Sequence, residues 1–468
     1  MFIGRQDELQ FLEDRYNAPN GQLVVLYGRR RVGKTETLRQ FCIGKPHVFY
    51  SCTESPNDLQ LKAFSERILQ QDIPAAKYIK SFATWQEAFA SVSQLPTSTQ
   101  QKKLVIIDEF PYMVKGDTAI PSILQNLWDE TLRHQNIMIV LCGSAMSFIE
   151  KDILSEKNPL YGRTTGILKM TEMSFYDAIQ FFPNYDALDK ITAFAILGGI
   201  PHYLKQFDDR LPLAENIRKN ILTRGSILYS EVEFLMRQEL RETAIYNAVI
   251  CAVALGSTKL NEIHQKTQID KNKLSVYLKN LIDLNIISRE FPLLTSVKEQ
   301  ANTQRGLYKV TDNFFRFWYA FVFPNISELE AGDSGGIYQH VVQPALDKHT
   351  SQIFEDICIQ YLRRQNRQSK LPFYFTKIGR WWNSGSEIDI LATDVNSKNI
   401  LLGECKYTNS AVSISELSAL SAKCEQLSSK GRVYYCLFAK KSFSSEIKKM
   451  ANKQELMAIT AEDLVRID

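Results

Sequence analysis

The feature that most constrains the fold is a glycine-rich loop between a buried strand and a helix. The segment QLVVLYG (22–28) is apolar enough for a buried β-strand, and ETLRQFC (36–42) has a helical pattern. The residues that join them, 28–35, read G-x-x-x-x-G-K-T, which is the Walker A spacing. Such glycines let successive backbone N–H groups face a phosphate, and the following helix adds a favourable dipole. The segment therefore predicts a nucleotide phosphate site.

The polar residues of this loop have predicted roles in binding ATP. Lys34 would place its ammonium on the β- and γ-phosphates, and Thr35 its hydroxyl on Mg²⁺. The remaining predicted ATP-binding residues of the loop are Gly28, Arg29, Arg30, Arg31, Val32, Gly33 and Glu36. The alternative is a chance loop before a helix, but strand, loop and helix all agree with the motif.

A second, acidic motif follows downstream. LVIIDEF (104–110) is a buried strand that ends in two acids, which is the Walker B pattern. Asp108 would hold Mg²⁺ through water, and Glu109 would polarise the water that attacks the γ-phosphate. The alternative is a solvated strand end, which the upstream loop makes less attractive.

Two further residues are weaker candidates. Ser144 closes the next strand and is either a sensor of the γ-phosphate or a simple turn residue. Arg163, in PLYGRTTG, is either an arginine finger or an ordinary surface arginine.

Six short motifs occur in a fixed order: FIGRQDEL, GRRRVGKT, VIIDEF, GSAMSF, PLYGR and GGIPHYL. This set resembles the archaeal-type ATPases within the STAND group of AAA-like NTPases. The resemblance implies a sheet in which an extra strand separates the P-loop strand from the Walker B strand. It also implies that Gly4 and Arg5 lie near the adenine, and that Pro201 belongs to an element that packs a lid against the nucleotide.

The order of apolar patterns predicts five segments. Strands alternating with helices predict a P-loop NTPase domain at 1–173, with a parallel sheet covered on both faces. Residues 174–240 read as a helical lid, and 241–323 as a winged helix-turn-helix. Turn formers and acids predict a linker at 324–344, and 345–468 reads as a second α/β domain. The predicted fold class is therefore α/β throughout the two larger domains.

The second helix of the predicted winged helix offers a polar face. Its predicted exposed residues are Lys271, Asn272, Lys273, Ser275, Tyr277 and Lys279. Such a face could lie in a DNA groove. The favoured alternative is that the winged helix serves as a lid or as a wedge between domains.

The C-terminal domain carries a second constellation of charged residues. Two strands at 386–407 are joined by a short polar turn; Asp389 lies in the first, and Glu404 and Lys406 lie in the second. Positions two apart on a strand share a face, so Glu404 and Lys406 project together. Asp389 and Glu404 would make a hard oxygen site for Mg²⁺ or Mn²⁺, and Lys406 would orient or deprotonate the attacking water. Glu355, on an upstream helix, would support the metal or its water.

This arrangement resembles the PD-(D/E)XK nuclease superfamily, whose fold is that of restriction endonucleases, and the domain order matches the DUF234-type extension of these ATPases. The resemblance implies cleavage of DNA or RNA. Two alternatives remain open: an inactive tail that binds nucleic acid or a protein partner, and a plain surface ion pair between Asp389 and Lys406.

Net charge, cysteine spacing and the lengths of apolar segments indicate which partners and which cellular compartment to expect. A net charge of +4 and a pI near 8.4 are compatible with nucleic acid without requiring it. The eight cysteines are scattered without a C-x-x-C pair, which favours a reducing compartment. The N-terminus lacks the apolar core of a signal peptide, and no apolar run approaches the ~20 residues that span a bilayer. We expect a cytoplasmic protein that binds ATP without a membrane partner, and a homo-oligomer or a protein partner is also compatible.

Overall fold

The computed structural model describes residues 2–96, 101–302, 305–427, 431–451 and 456–467. The chain forms two compact units. The first comprises Met1–Met173 with Ile200–His202, and the second comprises Ser174–Gly199 with Tyr203–Asp468. Among the described residues, no helix has both the length and the apolar character needed to cross a bilayer.

The first unit is built on a five-stranded sheet whose strand pairs are all parallel. Its strands are β1 (Gln22–Tyr27), β2 (His47–Ser51), β3 (Lys103–Asp108), β4 (Ile137–Gly143) and β5 (Gly166–Lys169). The order across the sheet is β2-β3-β4-β1-β5, so β4 separates the P-loop strand β1 from the acidic strand β3, as the family resemblance implies. Strands β1 and β4 are buried along their whole length, because both faces of the sheet are covered.

Helices cover this sheet. They are α1 (Gln6–Asn17), α2 (Lys34–Cys42), α3 (Asn57–Leu69), α4 (Trp85–Ser91), α5 (Phe110–Gly116), α6 (Ile120–Glu130) and α7 (Met146–Phe148). The carboxyl ends of the parallel strands meet at one edge, where α2 and α5 begin. This edge is therefore where ligands bind in open α/β sheets.

Along the rest of the chain, the described residues form sixteen more α-helices and two further sheets. The helices are α8 (Phe175–Ala178), α9 (Ala187–Leu197), α10 (Pro201–Leu204), α11 (Leu213–Ile217), α12 (Ile227–Glu239), α13 (Thr243–Ala254), α14 (Leu260–Thr267), α15 (Lys271–Asp283), α16 (Val297–Asn302), α17 (Asn313–Phe317), α18 (Ile326–Glu330), α19 (Ser334–Ile337), α20 (Gln343–Arg367), α21 (Ile414–Cys424), α22 (Ser445–Ala451) and α23 (Ala461–Leu464). The strands are β6 (Ile287–Glu290), β7 (Leu307–Val310), β8 (Lys377–Trp382), β9 (Glu387–Thr393), β10 (Asn399–Lys406), β11 (Arg432–Ala439) and β12 (Leu456–Thr460).

The larger sheet of the second unit is mixed. Its order is β12-β11-β10-β9-β8, with β8, β9 and β10 antiparallel and β10, β11 and β12 parallel. Helix α20 precedes the three antiparallel strands, and α21 connects β10 to its parallel neighbour β11. The smaller sheet is the antiparallel pair β6–β7, which follows α14 and α15.

Residues 324–344, where turn formers predict a linker, are helical in the structure. Helices α18 and α19 are followed by a π-helical turn at Tyr338–Val342 that continues into α20. The apolar residues Leu329 and Ile337 are buried here, so packing within the second unit outweighs the weak helix propensity of the glycines.

A buried histidine shows how closely the parts of the second unit pack. His349 of α20 lies between the rings of Phe317 and Phe321, with centroid separations of 5.5 Å to each. Its Nε2 is 3.2 Å from the carbonyl oxygen of Ala195 in α9. Helix α20 therefore shares its core with α9, which precedes it by more than a hundred residues.

We expect His349 to make the second unit sensitive to acid. Burial, and then the charge of Arg316, lower the pKa of His349 to about 3, below its unfolded value of about 6.5. The contribution of neutral His349 to the free energy of unfolding is therefore fully present above that unfolded pKa. It declines as the pH falls toward 3, by up to about 1.4 kcal/mol per pH unit. His349→Gln keeps a donor for Ala195 but cannot titrate, so its unfolding free energy should depend less on pH. Urea unfolding between pH 5 and pH 7 measures this.

The matched control is His340→Gln, which replaces an exposed histidine. An equal pH dependence for the His349→Gln protein and the unmodified protein would contradict this account of acid sensitivity.

Candidate functional site

The glycine-rich loop wraps around the Lys34 side chain. Gly33 has a φ of 97°, a left-handed conformation that suits glycine, and α2 begins at the next residue. A Cβ on Gly28 would collide with the carbonyl oxygen of Met170. The Lys34 Nζ donates to the carbonyl oxygens of Gly28 at 2.8 Å and Arg29 at 3.0 Å, and burial lowers the pKa of Lys34. The loop is thus closed around its own lysine.

The two motifs meet at the carboxyl edge of the sheet. The Thr35 hydroxyl donates to Asp108 Oδ2 at 2.7 Å, although β4 separates the strands that carry them. The Asp108 side chain is buried, and its Oδ1 accepts from the backbone N–H of Glu109 at 3.0 Å. A hydroxyl and a carboxylate in contact are hard oxygen donors, which suit the Mg²⁺ of a nucleotide complex.

Glu109 has an unusual backbone and a fixed side chain. Its φ of 52° lies in the left-handed region, which costs energy for a residue other than glycine. Ser144 donates to Glu109 Oε2 from its hydroxyl at 3.0 Å and from its backbone N–H at 3.3 Å. The structure therefore brings Lys34, Thr35, Asp108, Glu109 and Ser144 together at one edge of the sheet.

Arg5 is bonded to the backbone of the loop. Its Nη2 donates to the carbonyl oxygens of Val32 at 2.7 Å and Thr171 at 2.8 Å, and its Nη1 pairs with Glu8 at 2.6 Å. The preceding Gly4 has a positive φ of 66°. These contacts join the N-terminal segment to the loop, a role that sequence motifs alone do not reveal.

The other predicted loop residues differ in exposure. Arg29, Arg30, Gly33 and Thr35 are half-buried, Val32 is buried, and Arg31 and Glu36 are exposed. Pro201 lies beside the loop: its Cγ is 3.7 Å from the position that a Cβ on Gly33 would occupy.

Arg163 is engaged within the first unit. Its guanidinium makes a bidentate pair with Asp129 of α6: Nε donates to Oδ1 at 3.0 Å, and Nη2 donates to Oδ2 at 2.7 Å. Its Nη1 also donates to the carbonyl oxygen of Pro159 at 2.9 Å. This geometry favours an anchoring role over that of an arginine finger.

In the second unit, the charged constellation lies where β9 begins and its antiparallel neighbour β10 ends. Asp389 Oδ2 accepts from the backbone N–H of Cys405 at 2.8 Å. Glu404 is buried and pairs with Lys406 at 2.6 Å through Oε1. A residue that sequence reasoning missed, Lys423 of α21, pairs with the other oxygen of Glu404 at 2.9 Å.

Glu355 approaches this group from α20, but a cation holds it. Arg380 Nε lies 3.2 Å from Glu355 Oε2, and the same guanidinium pairs with Glu290 of β6 at 3.7 Å. Burial raises the pKa of Glu355 to about 8 against the opposing effect of Arg380. Burial, and then the charge of Glu404, raise the pKa of Asp389 to about 6. Within the described ranges, no group of three or more His, Cys, Asp or Glu side chains could hold a metal.

Helix α15 exposes most of the predicted polar face. Its exposed residues include Lys271, Asn272, Lys273, Ser275 and Lys279. Tyr277 differs, because its hydroxyl donates to Glu242 at 2.9 Å and its ring packs edge-on against Tyr246.

Two family models match separate parts of the chain. Residues 2–207 match a family described as an ATPase domain predominantly from Archaea. Residues 318–419 match DUF234, described as archaeal and bacterial proteins of unknown function. The structure of the Walker-type ATPase PABY2304 of Pyrococcus abyssi is similar with a TM-score of 0.52 and 21% identity, over 68% of this chain and 96% of that one. At that identity the likeness shows the fold alone.

Two curated relatives come from Methanocaldococcus jannaschii. The uncharacterized ATP-binding protein MJ0423 is 49% identical over 45 residues, which are 10% of this chain and 76% of that protein. The uncharacterized protein MJECL04 is 33% identical over 408 residues, which are 87% of this chain and 88% of that protein. The chain therefore belongs to the same family as MJECL04, and it combines an ATPase domain of the predominantly archaeal type with a C-terminal DUF234 region.

Proposed function

We propose that the first unit binds and hydrolyses ATP, and that its nucleotide state regulates a metal-dependent nuclease-like site in the second unit. The observation that carries the ATPase proposal is the 2.7 Å bond between Thr35 and Asp108, which joins the Walker A and Walker B motifs. The family match over residues 2–207 and the ATP-binding relative support the same function. The order of the motifs supports membership of the STAND group of AAA-like NTPases.

Each side chain of the site has its own proposed role in ATP hydrolysis. Lys34 exchanges its contacts with loop carbonyls for the β- and γ-phosphates. The backbone N–H groups of the loop and of Glu36, and the side chains of Arg29 to Arg31, would also contact the phosphates. Thr35 and Asp108 would hold Mg²⁺, which supplies neutralisation of the phosphate charge when bound. Glu109 takes a proton from water, whose oxygen bonds to the γ-phosphorus while the bond to the β–γ bridging oxygen breaks. ADP leaves with that electron pair.

The neighbouring residues position this machinery. Ser144 positions the Glu109 carboxylate through two hydrogen bonds. In this proposal Ser144 also senses the γ-phosphate. Arg5, with Gly4 before it, fixes the loop next to the proposed adenine site. Pro201 packs on Gly33 and would limit access to the nucleotide.

The nuclease-like proposal rests on the second unit's sheet. An upstream helix, three antiparallel strands, a connecting helix and a parallel strand are the order expected of a PD-(D/E)XK core. Asp389 and Glu404 are two carboxylates on adjacent strands, which is a sufficient protein contribution for Mg²⁺ or Mn²⁺ because these ions keep several waters. Such an ion would supply charge neutralisation at the scissile phosphate. Lys406 would then orient the attacking water, and Glu355 would support the site from α20.

The segment that precedes this domain is suited to binding DNA or RNA. Helices α14 and α15 followed by the hairpin β6–β7 have the element order of a winged helix-turn-helix. The exposed lysines Lys271, Lys273 and Lys279 of α15 would contact backbone phosphates of a duplex.

A second function is favoured by the ion pairs themselves. Glu404 is held by two lysines and Glu355 by Arg380, so the acids are neutralised by the protein's own cations. In this alternative the chain is a nucleotide-dependent switch whose tail binds nucleic acid or a protein partner without cleaving it. Incubating the purified protein with plasmid and Mn²⁺, with and without ATP, separates the two. Cleavage that depends on nucleotide supports the nuclease; plasmid binding without cleavage supports the switch.

We expect Lys34→Ala to abolish ATP hydrolysis and to weaken nucleotide binding. Removing the ammonium leaves the β- and γ-phosphate charge uncompensated, a loss of about a hundredfold or more in turnover. Phosphate release and titration with a fluorescent ATP analogue measure the two effects. Lys115→Ala, which removes an exposed lysine of the same unit, is the control and should leave both unchanged. Native turnover in Lys34→Ala would refute the phosphate assignment.

A further inference from the structure

A cation outside the predicted motif completes the nuclease-like site. Lys423 projects from α21, and its Nζ donates to Glu404 Oε2 at 2.9 Å. Lys406 donates to the other oxygen at 2.6 Å, so each oxygen of one buried carboxylate has its own ammonium group. The Glu404 side chain is 9% exposed, whereas those of Lys406 and Lys423 are 36% and 26% exposed. The two lysines therefore lie nearer to solvent than the acid.

The charge of this group argues against a purely structural role for the second lysine. One ammonium at 2.6 Å already neutralises Glu404. The four side chains of Asp389, Glu404, Lys406 and Lys423 together carry no net charge when ionised. A divalent cation added to them leaves two positive charges.

We propose that Lys423 binds the scissile phosphodiester and is a second lysine of the nuclease-like site; this inference rests on the nuclease proposal. Hydrolysis forms a bond from the water oxygen to phosphorus, and the bond from phosphorus to one sugar oxygen breaks. That sugar oxygen leaves with the electron pair and receives a proton, while the water loses one. The phosphodiester and the deprotonated water together bring two negative charges. Those charges match the two positive ones only when Lys423 is present.

The proposal makes opposite predictions for metal and for nucleic acid. With no substrate bound, the Lys423 ammonium competes with a cation for Glu404, so Lys423→Met should bind Mn²⁺ more tightly, by about threefold to tenfold. The same variant loses one phosphate contact, so its affinity for a duplex oligonucleotide in Ca²⁺ should fall and its salt dependence should decrease by about 0.9 in logarithmic slope. Cleavage in Mn²⁺ should fall by about tenfold to a hundredfold. Lys423→Arg keeps the positive charge and should therefore bind the oligonucleotide as the unmodified protein does.

Titration calorimetry with Mn²⁺, oligonucleotide binding in Ca²⁺ at several salt concentrations, and cleavage rates test this. The control is Lys448→Met, which removes an exposed lysine from α22 of the same unit and should change none of the three. If Lys423 only stabilises Glu404, Lys423→Met will bind Mn²⁺ less tightly or equally and will keep the native salt slope, and the proposal is then wrong.

Failure of the nuclease proposal gives a different result. If the unmodified protein cleaves no duplex, single-stranded or branched substrate, the nuclease assignment fails, yet binding in Ca²⁺ still decides the role of Lys423. Weaker binding with a reduced slope in Lys423→Met alone supports a phosphate-binding lysine in a binding module. Unchanged binding overturns the role of Lys423 in either case.

Discussion

Glu109→Gln should bind ATP with native affinity and lose turnover by about a hundredfold or more. The amide keeps the shape of the side chain and can still accept from Ser144, whose hydroxyl and backbone N–H bond to Oε2 at 3.0 and 3.3 Å. It cannot accept the proton of the attacking water. The φ of 52° at this position is unfavourable for a residue other than glycine, which suggests that the backbone is held in place to aim this side chain.

The measurement is steady-state phosphate release together with binding of a fluorescent ATP analogue. Glu130→Gln, an exposed acid at the end of α6, is the matched control and should behave as the unmodified protein. Hydrolysis at the native rate by the Glu109→Gln protein would show that another group polarises the water.

The nucleotide site could be predicted because its information is local. The glycine spacing of residues 28–35 fixes the loop, and a buried strand ending in two acids fixes the position of Asp108 and Glu109. Parallel strands then bring these segments to one edge without any further sequence signal, as the bond between Thr35 and Asp108 illustrates.

The contacts that sequence reasoning missed join distant elements. Arg5 bonds to Thr171 across 166 positions, and Lys423 reaches Glu404 from a helix whose register no strand motif specifies. Tyr277 appeared to belong to an exposed face, but its partner Glu242 precedes it by 35 positions. Periodicity places a residue on one side of an element but does not say what covers that side.

Local preferences also failed to predict the helices at 324–344. Its glycines and acids are turn formers by local preference, yet Asp333 accepts from the backbone N–H of Gly336 and so caps α19. Burial of Leu329 and Ile337 then holds these turns in the core of the second unit. Tertiary burial decides the outcome where local propensities are weak.

In the second unit, Asp389→Ala and Glu404→Ala should each eliminate metal-dependent cleavage while ATP hydrolysis continues. The two proposed activities would use separate carboxylates: Asp108 and Glu109 in one unit, and Asp389 and Glu404 in the other. Each variant removes one of the two carboxylates proposed to hold the metal, so Mn²⁺ binding at this site should be lost along with cleavage. Calorimetry with Mn²⁺ and cleavage of duplex, single-stranded and branched DNA measure both effects.

The choice of substitution matters because Glu404 is held by two lysines. Glu404→Ala leaves both ammonium groups near each other without their acid, which destabilises the fold as well as the metal site. Glu404→Gln and Asp389→Asn keep the shape, so loss of cleavage in these variants with native ATP hydrolysis and an unchanged melting temperature isolates the metal role. Glu425→Ala, an exposed acid just after α21, is the control. Cleavage that survives every one of these substitutions would identify a contaminating nuclease, because no metal-dependent step at Asp389 and Glu404 could tolerate the loss of either carboxylate.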